Sequence, residues 1–288
     1  MIITKPKIQI VATILAKNEE DIIGQMIEHT ISQGVSQIIF TDNASTDRTK
    51  EIAASYPEVV EIIDEPENDH NQTKWVTHMA RLACKLNPDW IVHLDADELW
   101  CGLQNLRRFD TSVVRCERMY LHPPISWEFD FLKSKHYVDF DHLPIPQECK
   151  IAHRPMEDVV ITHGNHGISE PDVSYAITTE VYRHHYPIRS YNQWERKCLG
   201  HEALQRRGSS CVRWENWYND MTNDRLGKRF TRLIRVWKQM LEDPQPELLH
   251  DLIEFWVTEE MLEFFKNNTS MMPRIGEWPK HEKQDSLN

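Results

Sequence analysis

The sequence predicts an α/β protein whose mainly parallel, doubly wound sheet presents its ligands at the carboxyl ends of the strands. Three observations carry that expectation. Apolar, β-branched runs alternate with stretches of helical periodicity four times within about the first hundred residues. Two of the early runs and the fourth are followed by acidic residues, Glu19, Asp42 and Asp95, a placement that core packing does not explain. The composition, 40% hydrophobic and 27% charged over 288 residues, is that of a globular chain and too apolar for a disordered one.

The elements follow in order. Residues 8–16 form a buried strand, and Ile22, Ile23, Met26, Ile27 and Thr30 then fall at helical spacing. Glu19, Glu20 and Asp21 precede them, where carboxylates suit the positive end of a helix. Gly34 ends that helix, and Ser36–Thr41 is the second strand. The turn Asp42-Asn43-Ala44-Ser45-Thr46-Asp47 offers Ser45 or Thr46 as the cap of a helix through Ala54, with Asp47 in a structural role. Val59–Ile63 is a third strand, Thr73–Leu86 a helix and Trp90–Leu94 a fourth strand. Residues 99–190 mix short strands with long loops, and from Tyr191 the chain turns helical. Leu226, Phe230, Leu233, Trp237 and Met240 make one apolar stripe, continued by Leu248, Leu249, Leu252, Phe255, Trp256 and Leu262. The expected division is a domain over 1–190 with a helical extension over 191–288.

Charge and cysteines narrow the partners. A net charge of -12 argues against nucleic acid, which demands a dense basic surface. No apolar run approaches the roughly 18–20 residues of a membrane span. The opening Met1 to Lys7 has no leader-like apolar core, and the six cysteines are scattered without a CxxC pair. A cytoplasmic protein with reduced thiols is therefore expected. Arg225, Lys228, Arg229, Arg232, Arg235 and Lys238 lie opposite the apolar stripe of helix 225–240; that face suits its own solvated surface or peripheral contact with an anionic inner-membrane face.

Chemistry concentrates at the end of the fourth strand. There Asp95 and Asp97, separated by Ala96, can point at one cation. Two hard oxygen ligands suit Mg²⁺ or Mn²⁺, which would keep its other positions for water and phosphate. Asp42 can accept hydrogen bonds from a nucleobase imide or a ribose hydroxyl, and Glu19 shares its edge.

Taken together, these segments resemble glycosyltransferase family 2. Lys17-Asn18-Glu19-Glu20 looks like its Asn-Glu signature. Phe40 to Thr49 is similar to its Asp-x-x-Ser-Thr-Asp-x-Thr segment, Lys74 to its basic residue before the DxD strand, and Leu94 to Glu98 to that strand itself. The motifs occur in family order over residues 8–98. Leu15 replaces the usual proline, Ala44 a common glycine, and the later hallmarks, a Glu-Asp pair and Gln-x-x-Arg-Trp, are missing. The resemblance implies a GT-A fold and transfer of a sugar from a nucleoside diphosphate donor, by default uridine-linked, with inversion. It places Ala16, Glu19, Asp42 and Lys74 at the nucleoside and Asp95 and Asp97 at ribose, diphosphate and metal.

The second half shares Lys150 to Pro155, a histidine segment from Ile161 to Gly167, and Tyr182 to Ser190 with a sub-branch of such transferases. His166 and His163, then His184 and His185, are the histidines expected to complete the metal shell; an imidazole ligand favours Mn²⁺. Lys150, Arg154 and Arg189 would offset diphosphate charge. Besides Asp97, the carboxylates Glu128, Asp130, Glu157 and Asp158 fall in the acceptor-facing region from which a general base would come. Trp127 and Trp194 could stack on a sugar. The acceptor, whether glycan, lipid-linked or protein, is not legible. Three rival readings stand beside this one. They are an inactive GT-A-like sugar- or nucleotide-binding module, a sugar nucleotidyltransferase, and a metallophosphoesterase suggested by Gly164-Asn165-His166. The last two lack their Gly-rich phosphate loop and their Gly-Asp-x-x-Asp turn, respectively.

Overall fold

The computed structural model describes residues 8–66, 71–122, 136–140, 149–169, 173–199, 212–242 and 274–277. In chain order the elements are β1 (Ile10–Ala16), α1 (Ile23–Ser32), β2 (Val35–Asp42), α2 (Thr49–Ala54), β3 (Val59–Asp64), α3 (Gln72–Cys84), β4 (Trp90–Asp95), β5 (Glu98–Cys101), β6 (Val113–Leu121), β7 (His136–Phe140), β8 (Lys150–His153), β9 (Tyr175–His185), α4 (Tyr191–Leu199), α5 (Val212–Thr222), α6 (Leu226–Glu242) and β10 (Arg274–Glu277). They fall into two compact units, Met1–Met119 with Asp141–His185 and Tyr120–Phe140 with Tyr186–Asn288.

In the first unit β1 is central, parallel to β2 on one side and β4 on the other, with β3 beyond β2. Its pleat sends alternate residues to opposite faces. Ile10, Ala12, Ile14 and Ala16 enter a core with Ile23, Met26 and Ile27 of α1, while Val11 joins Val76, Met79, Ala80 and Ala83 of α3 on the other face. Each isoleucine taken out of water here contributes about 1.5–3 kcal/mol. A strand buried on both faces needs apolar residues at nearly every position, which is why the first strand shows no polar alternation.

The sheet is mixed, and the expectation of a mainly parallel one is corrected. β8 runs antiparallel to β4 and to β6, and β9 antiparallel to β5. The cause lies in the connections. A parallel neighbour needs a crossover of a dozen or more residues, usually a helix. Among the described residues between β4 and α4, the only helical turns are the short 3₁₀ segments Leu103–Arg108 and His163–Asn165. The described strands there pair by doubling back.

A polar line crosses the second core. Thr13 Oγ1 lies 2.7 Å from His93 Nδ1, His93 Nε2 lies 2.9 Å from His153 Nε2, and His153 Nδ1 lies 2.7 Å from the Arg154 carbonyl. The carbonyl can only accept, so His153 carries its proton on Nδ1 and presents Nε2 as an acceptor. His93 then donates from Nε2 and accepts the Thr13 hydroxyl at Nδ1. Every nitrogen has one assigned role, and both rings are held neutral. Burial drives His153 down to about 4 and His93 well below the ordinary histidine value.

In the second unit β7 pairs antiparallel with β10. The helices pack through Trp194, which meets Trp217 edge-on at 5.4 Å and Phe230 at 5.9 Å, with Leu226, Leu233 and Trp237 buried as the stripe requires. Trp194 itself is fully buried, which removes it as a sugar platform. Arg225 and Arg229 turn to Asp220, thinning the basic face expected of α6. Leu248 to Leu262 lie outside the described residues. Among the described residues no helix is long and apolar enough to cross a membrane.

Candidate functional site

The loops after β1 and β2 are laced into one wall at the carboxyl edge. Asn18, held at a φ of 54°, accepts the Thr46 amide at 2.8 Å and donates its own amide to Ser45 Oγ at 3.0 Å. The Glu19 amide donates to Thr49 Oγ1 at 2.7 Å, the Glu20 amide to Asp47 at 3.3 Å, and the Arg48 amide to Glu20 at 3.2 Å. Asp47 also accepts the Thr49 amide at 3.0 Å, while Arg48 stands at the N-cap of α2, so neither Ser45 nor Thr46 caps the helix as expected. Those two side chains are committed to the neighbouring loop instead.

The wall presents Asp42. The Ser45 amide donates to its Oδ2 at 3.0 Å, while Oδ1 is buried without a hydrogen-bond partner. Ala16 sits beside it in register, its carbonyl accepting the Asn43 amide. Burial draws the nearby Lys17 ammonium below its usual value, and the attraction of Asp42 partly restores it. Asp42 is thus an oriented acceptor with one unused oxygen, suited to an N–H or O–H of a ligand.

The end of β4 is organised differently from expectation. Lys150, from the start of β8, places its ammonium 2.5 Å from Asp95 Oδ2 and donates to the Gly164 carbonyl at 2.7 Å. The Asn165 amide donates to Asp95 Oδ1 at 3.0 Å. Burial pulls Lys150 down, but Asp95 and Glu98 outweigh it and hold the ammonium above the ordinary lysine value. Glu98 in turn accepts from Arg183 at 3.0 Å, both groups being buried. Two cations therefore balance Asp95 and Glu98, and Asp97 is the third carboxylate of this turn. Asp97 Oδ1 lies 3.8 Å from His185 Nε2, because β5 and β9 pair with Glu98 opposite His185.

The four ligands expected of a metal, Asp95, Asp97, His163 and His166, are not assembled. Among the described residues no three His, Cys, Asp or Glu side chains converge as a metal set. Asp95 has a donor on each oxygen. His166 donates its Nδ1–H to the Cys149 carbonyl at 2.8 Å, which leaves the lone pair on Nε2. Its Nε2 lies so close to Gly164 that a Cβ there would stand 2.1 Å away, at a φ of 74° that itself favours glycine. Burial, then the Lys150 charge, push His166 down to about 3. His163 is exposed on the same turn. Asp97 and His185 do fit the sparse pattern in which Mg²⁺ or Mn²⁺ takes one or two side chains and leaves the rest to water and phosphate.

Other expected residues separate by position. Glu19 is buried at the wall, and Lys74 is exposed on the first turn of α3. Arg154 is corrected: it donates to the Asp89 and Phe109 carbonyls and lies over the Trp90 ring at 4.2 Å, at the opposite edge of the sheet. Because β8 is antiparallel to β4, Lys150 and Arg154 stand about 13 Å apart along it, one at each edge. Asp158 is corrected for the same reason. It is exposed between Met156, whose carbonyl meets Cys84, and Val159, whose carbonyl meets Arg81, beside the far end of α3. Glu157 shares that place. Arg189 belongs to the second unit, where its side chain is buried and donates to the Tyr186 carbonyl at 3.1 Å. Trp127, Glu128 and Asp130 lie outside the described residues. The Glu98–Arg183 pair was not anticipated, since it forms across the β5–β9 register between residues 85 positions apart.

Residues 12–101 match the model of Glycosyl transferase family 2, a span of under half the chain. No curated protein matches. Among solved structures, a mycobacterial protein is 13% identical over 68% of this chain and 72% of its own, with a TM-score of 0.42. Residues 1–349 of S. aureus TarS, solved with UDP-GlcNAc, are 10% identical over 92% and 88%, with a TM-score of 0.42. Glucosyl-3-phosphoglycerate synthase from Mycobacterium tuberculosis, solved with Mn²⁺, UDP and glucosyl-3-phosphoglycerate, is 17% identical over 40% of this chain and 44% of that one, with a TM-score of 0.30. At such scores the likeness is too loose to transfer a ligand or a residue.

Proposed function

We propose that the chain is a glycosyltransferase of the GT-A type that takes a sugar from a nucleoside diphosphate donor. One observation carries the reading: in the segment that matches the family model, β2 and β4 deliver Asp42, Asp95 and Asp97 to a single sheet edge, on either side of β1. The unused oxygen of Asp42 would accept the imide N–H of a pyrimidine base or a ribose hydroxyl, and uridine is the donor base we favour. Lys74, on the first turn of α3, would lie along the path of the nucleotide.

A divalent ion, Mn²⁺ or Mg²⁺, would be held by Asp97 and His185; when bound it would neutralise charge developing on the diphosphate leaving group. The chain's own contribution is orientation. Asp42 and Asp95 are fixed acceptors, and the Glu98–Arg183 and Asp95–Lys150 pairs set the charge beside Asp97. Direct displacement, giving inversion, would need a base near the acceptor hydroxyl. With Asp158 and Glu157 at the wrong edge, Glu128 and Asp130 are the remaining candidates. The acceptor is open, and contact of α6 with a membrane surface would rest on Lys228, Arg232 and Arg235.

The test is a thermal-shift panel of UDP, GDP, TDP and ADP, each with Mn²⁺, Mg²⁺ or EDTA. A ligand that binds only the native state raises the melting temperature by mass action. Stabilisation by UDP, enhanced by metal, is expected. No shift with any nucleotide would end the donor assignment and leave a sugar- or nucleotide-fold relic in its place.

A further inference from the structure

The segment after β8 is tied to α3 turn by turn, and the ties end at the carboxyl edge. Arg81 meets the Val159 carbonyl at 3.3 Å, Thr77 Oγ1 accepts the Ile161 amide at 3.0 Å, and Gln72 Oε1 accepts the Gly164 amide at 2.9 Å. Across the loop the Thr162 amide donates to the Gly167 carbonyl at 2.9 Å, and the Gly164 carbonyl accepts Lys150. The turn His163–Asn165 is thereby fixed beside Asp95, with the His163 side chain exposed on it. Asp42 and Asp95 flank β1 almost level, since Ala16 pairs with Asp42 and Leu15 with Asp95. Two interstrand spacings put them about 10 Å apart. A nucleotide held by its base at Asp42 would therefore extend its sugar toward Asp95 and this turn.

The carboxylates described at that edge are poorly placed to take a proton. Asp95 has a donor on each oxygen, Glu98 is buried against Arg183, and Asp97 faces His185. Glu128 and Asp130 lie outside the described residues. Among the imidazoles of this turn, His166 is committed at Nδ1 and so weakened by burial that it is a feeble base. His163 is the exposed one.

We propose that His163 is the general base of sugar transfer, taking the proton of the acceptor hydroxyl. The role rests on the nucleotide-sugar reading above. The acceptor O–H bond breaks and its proton passes to the imidazole, while the oxygen forms its bond to the anomeric carbon. The bond from that carbon to the diphosphate breaks, and its electron pair leaves on the diphosphate. The imidazolium then returns its proton to water. A base must start neutral. Partial burial draws His163 below the ordinary histidine value, Asp95 of β4 raises it, and Lys150 of β8 lowers it. His166 is the other titratable group of the turn, and α3, packed against it, carries Lys74 on its first turn.

The experiment measures UDP release from UDP-glucose, UDP-galactose and UDP-N-acetylglucosamine with Mn²⁺, water serving as the acceptor. His163→Gln should lower kcat by about a hundredfold or more, while the melting-temperature rise given by UDP stays at the wild-type level. Wild-type turnover should fall through a single-proton limb below about pH 6.5, and His163→Gln should lack that limb. Added imidazole should raise the turnover of His163→Ala by about tenfold or more, which a side chain that only shapes the turn would not allow. Turnover of His163→Gln within about twofold of wild type, or His163→Ala unmoved by imidazole, overturns the proposal. So does loss of the acid limb in Glu128→Gln or Asp130→Asn instead, or a loss of Mn²⁺ affinity in His163→Gln, which would make the histidine a ligand. If UDP stabilises the protein but wild type turns over none of the three donors, the base falls alone. If no nucleotide binds, the donor reading falls and takes the base with it.

Discussion

His153→Gln tests whether the buried imidazole line is a neutral, single-direction chain. In the native protein His153 titrates near pH 4, driven down by burial and opposed by the Arg154 carbonyl. In the unfolded chain it titrates near 6.5. The folded value is the lower one, so on acidification the unfolded chain takes up the proton first. The contribution is complete above pH 6.5 and drains away between 6.5 and 4. Linkage puts the loss at about 1 kcal/mol by pH 5.5 and about 3 kcal/mol by pH 4. Glutamine accepts no proton in this range. It will therefore cost stability at pH 7.5, by breaking the line at its middle, and flatten the response to acid. Urea unfolding followed by tryptophan fluorescence, repeated between pH 7.5 and 5.5, reads both curves. The gap between wild type and variant should shrink by about 1 kcal/mol over that window. Parallel curves would refute the neutral pairing and the proton positions derived from the Arg154 carbonyl.

Asp97→Ala should lower sugar transfer by about a hundredfold or more, the scale of losing one group that stabilises transition-state charge, while the melting temperature changes little. Full turnover in that variant would remove Asp97 from the chemistry. Asp47→Ala deprives the Thr49 amide of its acceptor and should cost about 1 kcal/mol in chemical denaturation. An unchanged midpoint would show the cap to be idle. Glu98→Gln leaves Arg183 buried without its carboxylate, and the loss should reach about 3–5 kcal/mol. A variant as stable as wild type would mean that the pair is no part of what holds β5 to β9.

The first four strands and three helices were legible because burial on both faces writes continuous apolar runs, and helices write their period. The boundaries moved by a residue or two, as with β4, which extends to Asp95. What was illegible has one physical source, the return of the chain on itself after Asp97. Lys150 and Arg154 look alike in a linear motif, yet an antiparallel strand carries them to opposite edges. His185 reaches Asp97 only through the β5–β9 register, which no spacing in the sequence encodes. His163 and His166 were expected at the metal because the resemblance implies a histidine there; the turn that carries them also brings the Asn165 amide to Asp95. Ser45 and Thr46 read as helix caps because a hydroxyl can cap locally; their partners lay 27 and 28 residues away.

The lacing of the loops after β1 and β2 also bears on how such a site changes over time. Six hydrogen bonds join Asn18, Glu19 and Glu20 to Ser45, Thr46, Asp47, Arg48 and Thr49, so neither loop can lengthen or swing without breaking the other. On the proposed nucleotide-sugar reading, adaptation to a different base is thereby denied the usual route of loop insertion. It must proceed by single exchanges among the side chains that the frame holds out, Lys17 and Asp42 first, with the scaffold inherited whole.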